Sequence, residues 1–444
     1  MSNRRKTANM IFVVFLLTFL AKFIGFFREV LLGSRIGANM ASDAYIMAFY
    51  ATVSIFISVG TAITIAVIPM MVEGFTLGSK EEAFRFSNNL LNTLVLFSTI
   101  VIGVVFFFSK EIMAMMANGF EGEKFALTVN LTRIMLPTLI CICITYVFVS
   151  LLQSMGKFAV TSFISVPANI LAIVFLYFFS HPYGVKGLAF VTLVGWVLQF
   201  VIQFPSLYKE GFRYALYINL KDQRIRRFFK MIFPVTIVAS VNQVNMLLDE
   251  IQASALHHGK VSSLYYGGIL YLAVAGITVY GISAVMFPKF AEKAIQMERR
   301  QYGIFVTSIM KLMIFILLPM TIGIGLLSRP VISLVFERGA FHQSAAAATA
   351  TALASYSLGM VGYAIQDVVN KAFYALQDIK IPMKFSILAV FLNLLLNVAL
   401  VRYNEVAGIA FATAGATTLS AVGLYWYPLK EKWAILGGEG FLRT

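Results

Sequence analysis

Apolar runs of about twenty residues or more recur along the whole chain, each closed by a short polar break. Twelve are read, at roughly 8–33, 43–72, 86–108, 125–155, 158–180, 184–208, 228–256, 261–288, 303–327, 344–374, 383–401 and 405–427. A helix rises about 1.5 Å per residue, so roughly twenty apolar residues cross the ~30 Å hydrocarbon core of a bilayer. Backbone groups in lipid must find partners within their own segment, so runs of this length predict helices. The fold class is therefore all-α: a polytopic membrane protein with about 12 transmembrane helices. The fourth and tenth runs are the longest, and Pro137 and the Gly359–Gly362 region are expected to bend them.

The pattern reads twice. Pro69 in "AVIPMM" matches Pro288 in "VMFPKF", and "SKEIMAMMANGF" (109–120) matches "SRPVISLVFERGAF" (328–341), both 219 positions on. "DAYIMAFY" (43–50) faces "SLYYGGILY" (263–271), and "GVKGLAFVT" (184–192) faces "EVAGIAFAT" (405–413). Six spans per half is an even number, so both halves insert the same way up. This predicts two parallel six-helix lobes, residues 1–222 and 223–444, around a central cavity, as in two-lobed transporters. A basic linker over 209–230 joins them.

Composition agrees: 59% of the 444 residues are hydrophobic and only 12% charged, where soluble domains carry about 25%. The net charge of +15 would suggest nucleic acid in a soluble protein. Here its placement gives another account. With the N-terminus in the cytoplasm, 22 basic residues fall on the cytoplasmic side, 8 on the opposite side and 5 within spans. The positive-inside rule then puts both termini in the cytoplasm, with no nucleic-acid partner expected. Cys141 and Cys143 sit one residue apart in an apolar run and read as small buried hydrophobes. The four histidines show no ligand spacing, so no metal cofactor is read from them. The longest outer loops are about twenty residues and hold no acidic metal motif, which argues against an enzyme. A passive scaffold would tolerate loss of the charges inside the spans.

Those charges are costly, by roughly 2.5–3.5 kcal/mol each on insertion scales. Lys311, eight residues into its span, and Arg133, near a span end, can snorkel. Lys22, Arg28 and Glu29 are harder to dismiss. Lys22 and Glu29 are seven apart and share a helical face, Arg28 adjoins it, and Arg35 continues it. Glu29 neutralises one cation; the rest call for an anion from a partner or a substrate. The guanidinium fork suits phosphate, so the first span is expected to line an electropositive cavity. The matching span of the second lobe carries Asp249 and Glu250. These could pair with Arg28 across the lobes in a transport cycle. Alternatively, Asp249 with Asn393, Asn397 and Thr413 offers oxygen ligands to a hard cation. Asparagines at i, i+4 also serve as interhelical packing polar groups, and spacing alone favours that. Asp367 and Lys371, i, i+4 in the tenth span, are expected to pair.

The stretch "AKFIGFFREVLLGSRIGANMASDAYIMAF" (21–49) resembles the first-span signature of the MurJ/MviN family of lipid II flippases, in the multidrug/oligosaccharidyl-lipid/polysaccharide exporter superfamily. "LYYGG" (264–268), "LVFERGAF" (334–341) and "YALQDIKIPMK" (374–384) fit the family further along. The resemblance implies a flippase that moves an undecaprenyl-diphosphate-linked precursor, lipid II foremost, from the cytoplasmic to the outer leaflet by alternating access. It implies substrate contacts at Lys22 and Arg28, with Asp43 as the conserved acid, and Glu29 and Arg35 beside them. It implies a sodium site on Asp249, Asn393, Asn397, the Ile409 carbonyl and Thr413, with Asn397 where an aspartate is expected. Glu250, Asp367 and Lys371 are left as gating or pairing residues. The family's basic pair in span two falls near Phe56 and Ile57, and its span-eight arginine on Ile269, all apolar here. Fourteen spans are typical; the last two are expected to be absent. The expected setting is the bacterial inner membrane, as a monomer among membrane lipids. The competing functions are export of another lipid-linked polysaccharide unit and cation-coupled multidrug antiport.

Overall fold

The structure is a computed structural model that describes residues 2–376, 378 and 380–431. The tail from 432 to 444, where the sequence reading places no span, lies outside the described residues. Among those described, every regular element is helical. The first half holds α1 (Ser2–Ile36), α2 (Met40–Phe49), α3 (Ile55–Leu77), α4 (Lys80–Phe107), α5 (Ser109–Met116), α6 (Gly122–Met135), α7 (Thr138–Ser154), α8 (Phe158–Phe163), α9 (Ser165–Phe178) and α10 (Ser180–Lys209). Then come α11 (Gln223–Ser254), α12 (Lys260–Gln296), α13 (Arg299–Val335), α14 (Gln343–Ser357), α15 (Met360–Ala375) and α16 (Lys380–Glu431). A π-helical turn, Tyr50–Ser54, joins α2 to α3 without a break.

Nine described helices are long and apolar enough to cross a membrane, and ten if the bent pair Gln223–Val241 and Gln243–Ser254 is one span. The other two of the twelve sequence runs are helical as well. The first is α1, whose described length is interrupted by Lys22, Arg28 and Glu29. The tenth breaks into α14 and α15, of 15 and 16 residues, each short of a full crossing. Polar side chains within spans mostly bond back to their own helix. Thr52, Thr128, Thr132 and Ser150 each donate to the carbonyl four residues earlier.

The internal repeat is visible in the backbone. Pro137 separates α6 from α7, and Leu358–Gly359 separates α14 from α15, at matching places in the two halves. The helix α10 is broken at Gly184 (φ 52°, ψ −149°), and α16 at Asn404 and Glu405 (φ 40°, ψ −122° for Glu405). These two breaks fall on the aligned pair "GVKGLAFVT" and "EVAGIAFAT". A glycine adopts positive φ freely, whereas Glu405 does so against steric resistance. Lys260 Nζ lies 2.6 Å from the Glu405 carboxylate and fixes the break.

Packing divides the chain into two compact units, Met1–Leu247 and Leu248–Thr444. In the first, α3 and α4 pack on α7, α1 on α9, and α2 on α6. Gly60 lets α3 close on α7, since a Cβ there would lie 2.4 Å from the Tyr146 ring. Ile225 and Phe228 at the start of α11 belong to this unit's core, beside Phe84 and Phe212. In the second unit, α15 packs on α16, and α12 and α13 on α14. Val279, Phe290, Met313 and Phe373 are wholly buried in its core.

Candidate functional site

In α1, Phe15, Phe19, Phe23 and Phe27 recur every four residues and are half or more exposed, the stripe expected of a lipid-facing surface. Glu29 lies off that stripe and is buried, 6% exposed. The Arg28 guanidinium pairs with the Glu29 carboxylate, and about a third of the Arg28 side chain stays accessible. Lys22 is exposed six residues earlier, about 9 Å along the axis. Arg28 and Glu29 thus form one unit with Lys22 two turns away.

Arg35 and Asp43 are drawn elsewhere. The Arg35 guanidinium lies 4.9 Å from the centre of the Tyr177 ring on α9. Asp43 sits in the first turn of α2, where Asn39 caps the helix in a reciprocal box with Ser42. Its carboxylate is fully buried and lies 2.8 Å from Lys124 Nζ of α6, itself 3% exposed. The same ammonium stands 3.7 Å from the centre of the Phe120 ring. Near it, Tyr45 Oη and Thr192 Oγ1 are 3.0 Å apart, tying α2 to α10. Sequence reasoning missed Lys124, which looked like an outer-loop cation; its one signal is a lysine at the very start of a span.

The second unit holds the other cluster. Asp249 is buried, and its Oδ1 accepts from Asn393 Nδ2 and Asn397 Nδ2, each at 2.8 Å. Thr413 Oγ1 is 2.5 Å from Asp249 Oδ2, 3.3 Å from Asn393 Oδ1 and 3.4 Å from the Ile409 carbonyl. All five residues singled out for a cation therefore meet at one point, from α11 and both halves of α16. The break at Glu405 makes this convergence feasible, because it turns the second half of α16 back along the first. Asn397 Oδ1 is buried without a hydrogen-bond partner. Glu250, next in sequence, is also buried. Asp367 and Lys371 pair at 2.8 Å on α15, and Ser283 of α12 donates to the same carboxylate oxygen.

Comparison with known proteins decides the family. The family model described as lipid II flippase MurJ matches residues 32–442. A probable lipid II flippase MurJ of Buchnera aphidicola subsp. Schizaphis graminum is 30% identical over 93% of this chain and 81% of its own length. The chain belongs to the lipid II flippase MurJ family. A probable member from Vibrio cholerae is 26% identical over 93% of this chain and 81% of its own. Among solved structures, a lipid II flippase MurJ in an inward closed conformation has TM-score 0.84 at 24% identity, covering 94% of this chain and 87% of the other. An inward-facing multidrug resistance MATE family transporter of the MOP superfamily has TM-score 0.73 at 14% identity, covering 94% and 96%. These likenesses establish the fold: an all-α, multi-pass membrane protein. The apolar residues near the family's span-two basic pair, Phe56 and Ile57, are part of the first unit's hydrophobic packing.

Proposed function

We propose that this protein moves lipid II, a polyprenyl-diphosphate-linked peptidoglycan precursor, from the cytoplasmic to the outer leaflet of the bacterial inner membrane by alternating access. The observation that carries the reading is the charge on α1. Lys22, Arg28 and Arg35 outnumber Glu29 within one membrane helix, and Arg28 keeps its guanidinium partly accessible while anchored by a buried carboxylate. An anchored, accessible fork is suited to a diphosphate. The head group contacts Lys22 and Arg28 while the prenyl tail stays in lipid. No bond is made or broken, so the protein is a transporter and not an enzyme. The distribution of basic residues supports cytoplasmic termini, and one chain is the working unit.

The Asp249 cluster is read as a sodium site. A carboxylate, two amides, a hydroxyl and a backbone carbonyl are a hard-cation donor set, and the unpartnered Asn397 Oδ1 fits it. Rotation of the two amides would turn their oxygens toward a cation. Sodium would supply positive charge against Asp249; its gradient, or the membrane potential at about 2.3 kcal/mol per charge per 100 mV, biases the cycle.

The test is precursor translocation in a depletion strain, wild type against Arg28→Ala, with the lipid pool read by mass spectrometry. Accumulation of inward-facing lipid II in the variant is the expected result. Unimpaired flipping would remove Arg28 from the head-group role. Accumulation of a different prenyl-linked glycan would move the protein to a sister export pathway.

A further inference from the structure

Between α10 and α11 the chain runs for thirteen residues without regular structure, yet it is held as tightly as a strand. Three asparagines on α4 grip its backbone. Asn88 Nδ2 donates to the Arg213 carbonyl at 2.9 Å, and its Oδ1 accepts from Ala215 N at 3.2 Å. Asn89 Nδ2 donates to the Asn219 carbonyl at 3.0 Å, and its Oδ1 accepts from Asn219 N at 2.7 Å. Asn92 Nδ2 reaches the carbonyls of Ala215 and Tyr217, and Tyr214 Oη donates to Asn92 Oδ1 at 2.8 Å. The gripped backbone groups belong to alternate residues, 213, 215, 217 and 219. Tyr214 turns its hydroxyl back to α4, while Leu216, Ile218 and, just beyond, Leu220 carry apolar side chains into the open, 81%, 45% and 56% exposed.

Where this strap lies follows from α4. Its uncharged run, Phe86–Phe107, is 22 residues, about 33 Å, close to the thickness of a hydrocarbon core. Asn88, Asn89 and Asn92 lie in the first two turns of that run, so the strap crosses α4 near the edge of the membrane. The charges around it are one-sided: seven basic residues against Glu210 and Asp222 over 209–230. Arg226, Arg227 and Lys230, on one face of α11, line an open notch of about 450 Å³. Two tyrosines stand under guanidiniums, Tyr208 beneath Arg213 at 3.6 Å and Tyr217 beneath Arg85 at 4.8 Å. Amphipathic aromatics belong at the headgroup level.

We propose that this strap docks on the anionic headgroup layer of the leaflet beside it, with Leu216, Ile218 and Leu220 set among the lipids and Arg226 and Lys230 holding lipid phosphates. The leaflet is the cytoplasmic one, an assignment that rests on the orientation read above. Apolar side chains next to a basic cluster are the pairing by which interfacial segments bind anionic membranes.

The experiment uses the full chain in nanodiscs, with an environment-sensitive fluorophore on Leu216→Cys and, for comparison, on Glu81→Cys in the first turn of α4. Cys141 and Cys143 are buried in α7 and are replaced by alanine. The expected result is quenching by shallow-brominated lipid at 216 only, with iodide quenching there about three-fold weaker than at 81. Discs of phosphatidylglycerol should deepen the difference over phosphatidylcholine, and Arg226→Gln with Lys230→Gln should erase that preference. Equal iodide access at both positions would overturn the proposal. So would protection of 216 that appears only when a second protein is added, since the strap would then be a strand edge for a partner. Iodide added to one side of sealed vesicles reports the orientation separately. Arg28→Ala, which tests transport, should leave every reading here unchanged.

Discussion

Replacing Lys124 with methionine should unfold the first unit more readily than any surface change, because it strands the Asp43 carboxylate. The two charged atoms are 2.8 Å apart, and the side chains are 3% and 0% exposed. With an effective dielectric constant of about 20, attraction at that distance is roughly 6 kcal/mol. The net cost of breaking a buried pair from one side is smaller, about 3–5 kcal/mol, as the remaining charge finds partial solvation. Asp43→Leu alone should cost a similar amount by stranding the ammonium, although the Phe120 ring stays beneath it. The double variant, Asp43→Leu with Lys124→Met, leaves no buried charge and should return to within about 1 kcal/mol of the parent. Stability in detergent, followed by thermal melting or denaturant titration, gives all four corners of the cycle. On the scale of domains of 150–250 residues, either single change should lower the melting temperature by on the order of 10 °C. Additive losses in the double variant, or a Lys124→Met loss below about 1 kcal/mol, would refute the closed pair. Transport adds a second reading. If Asp43 serves the substrate directly, its removal abolishes flipping while stability holds, and Lys124→Met does not rescue it.

Asp249→Asn should abolish any sodium-dependent rise in melting temperature, an effect worth about 2.7 kcal/mol at a hundred times the dissociation constant. Asn397→Asp should tighten sodium binding by about tenfold, roughly 1.4 kcal/mol, and isothermal titration would expose an unchanged affinity. Asn89→Ala removes two hydrogen bonds to the strap, about 1–3 kcal/mol together, and should speed tryptic cleavage at Arg213 or Lys221; an unchanged cleavage rate counts against the grip. Glu210, at the end of α10, is held below the ordinary carboxylate value of 4.5, first by the hydrogen bond from Lys157 and then by Lys80. A depressed value stabilises the fold above pH 4.5 and is lost as pH falls through the folded value. Glu210→Gln should therefore lower the neutral plateau slightly and flatten the acid loss of stability below about pH 4.5, the two proteins converging in acid. A melt series over pH 3–7 that matches wild type would remove this contribution.

The spans were legible because lipid leaves the chain few choices. A crossing segment must be apolar for about twenty residues and must satisfy its own backbone. The repeat was legible for the same reason, and the broken helices at Gly184 and Glu405 show that it extends to the backbone, not only to composition. Where sequence and structure part, the cause is local. The tenth run was expected to bend at Gly359–Gly362, but it separates fully, ending one helix at Ser357 and beginning another at Met360, and hydropathy does not tell a bend from a break.

Polar partnerships were legible in proportion to their rarity. Asp249, Asn393, Asn397 and Thr413 could be singled out because each is an oxygen-rich side chain in an apolar helix, where a partner is nearly obligatory. Lys124 could not, since 81 residues separate it from Asp43 and a lysine at a span end ordinarily reaches water. The asparagine grip was the least legible of all. Asn88, Asn89 and Asn92 are as conspicuous as Asn393, but apart from the Tyr214 hydroxyl their partners are backbone amides and carbonyls, and backbone groups are the same at every position. A side chain that reads backbone constrains the path of a neighbouring segment while leaving that segment's side chains free. That freedom is what allows Leu216, Ile218 and Leu220 to be apolar on the open side. The same logic separates the two cation-bearing elements. On α1, charge is fixed by a carboxylate one residue away and can be aimed at a substrate. On the linker, charge lies around a strap fixed through its backbone, so changes at Arg226 and Lys230 should alter lipid preference without moving the strap.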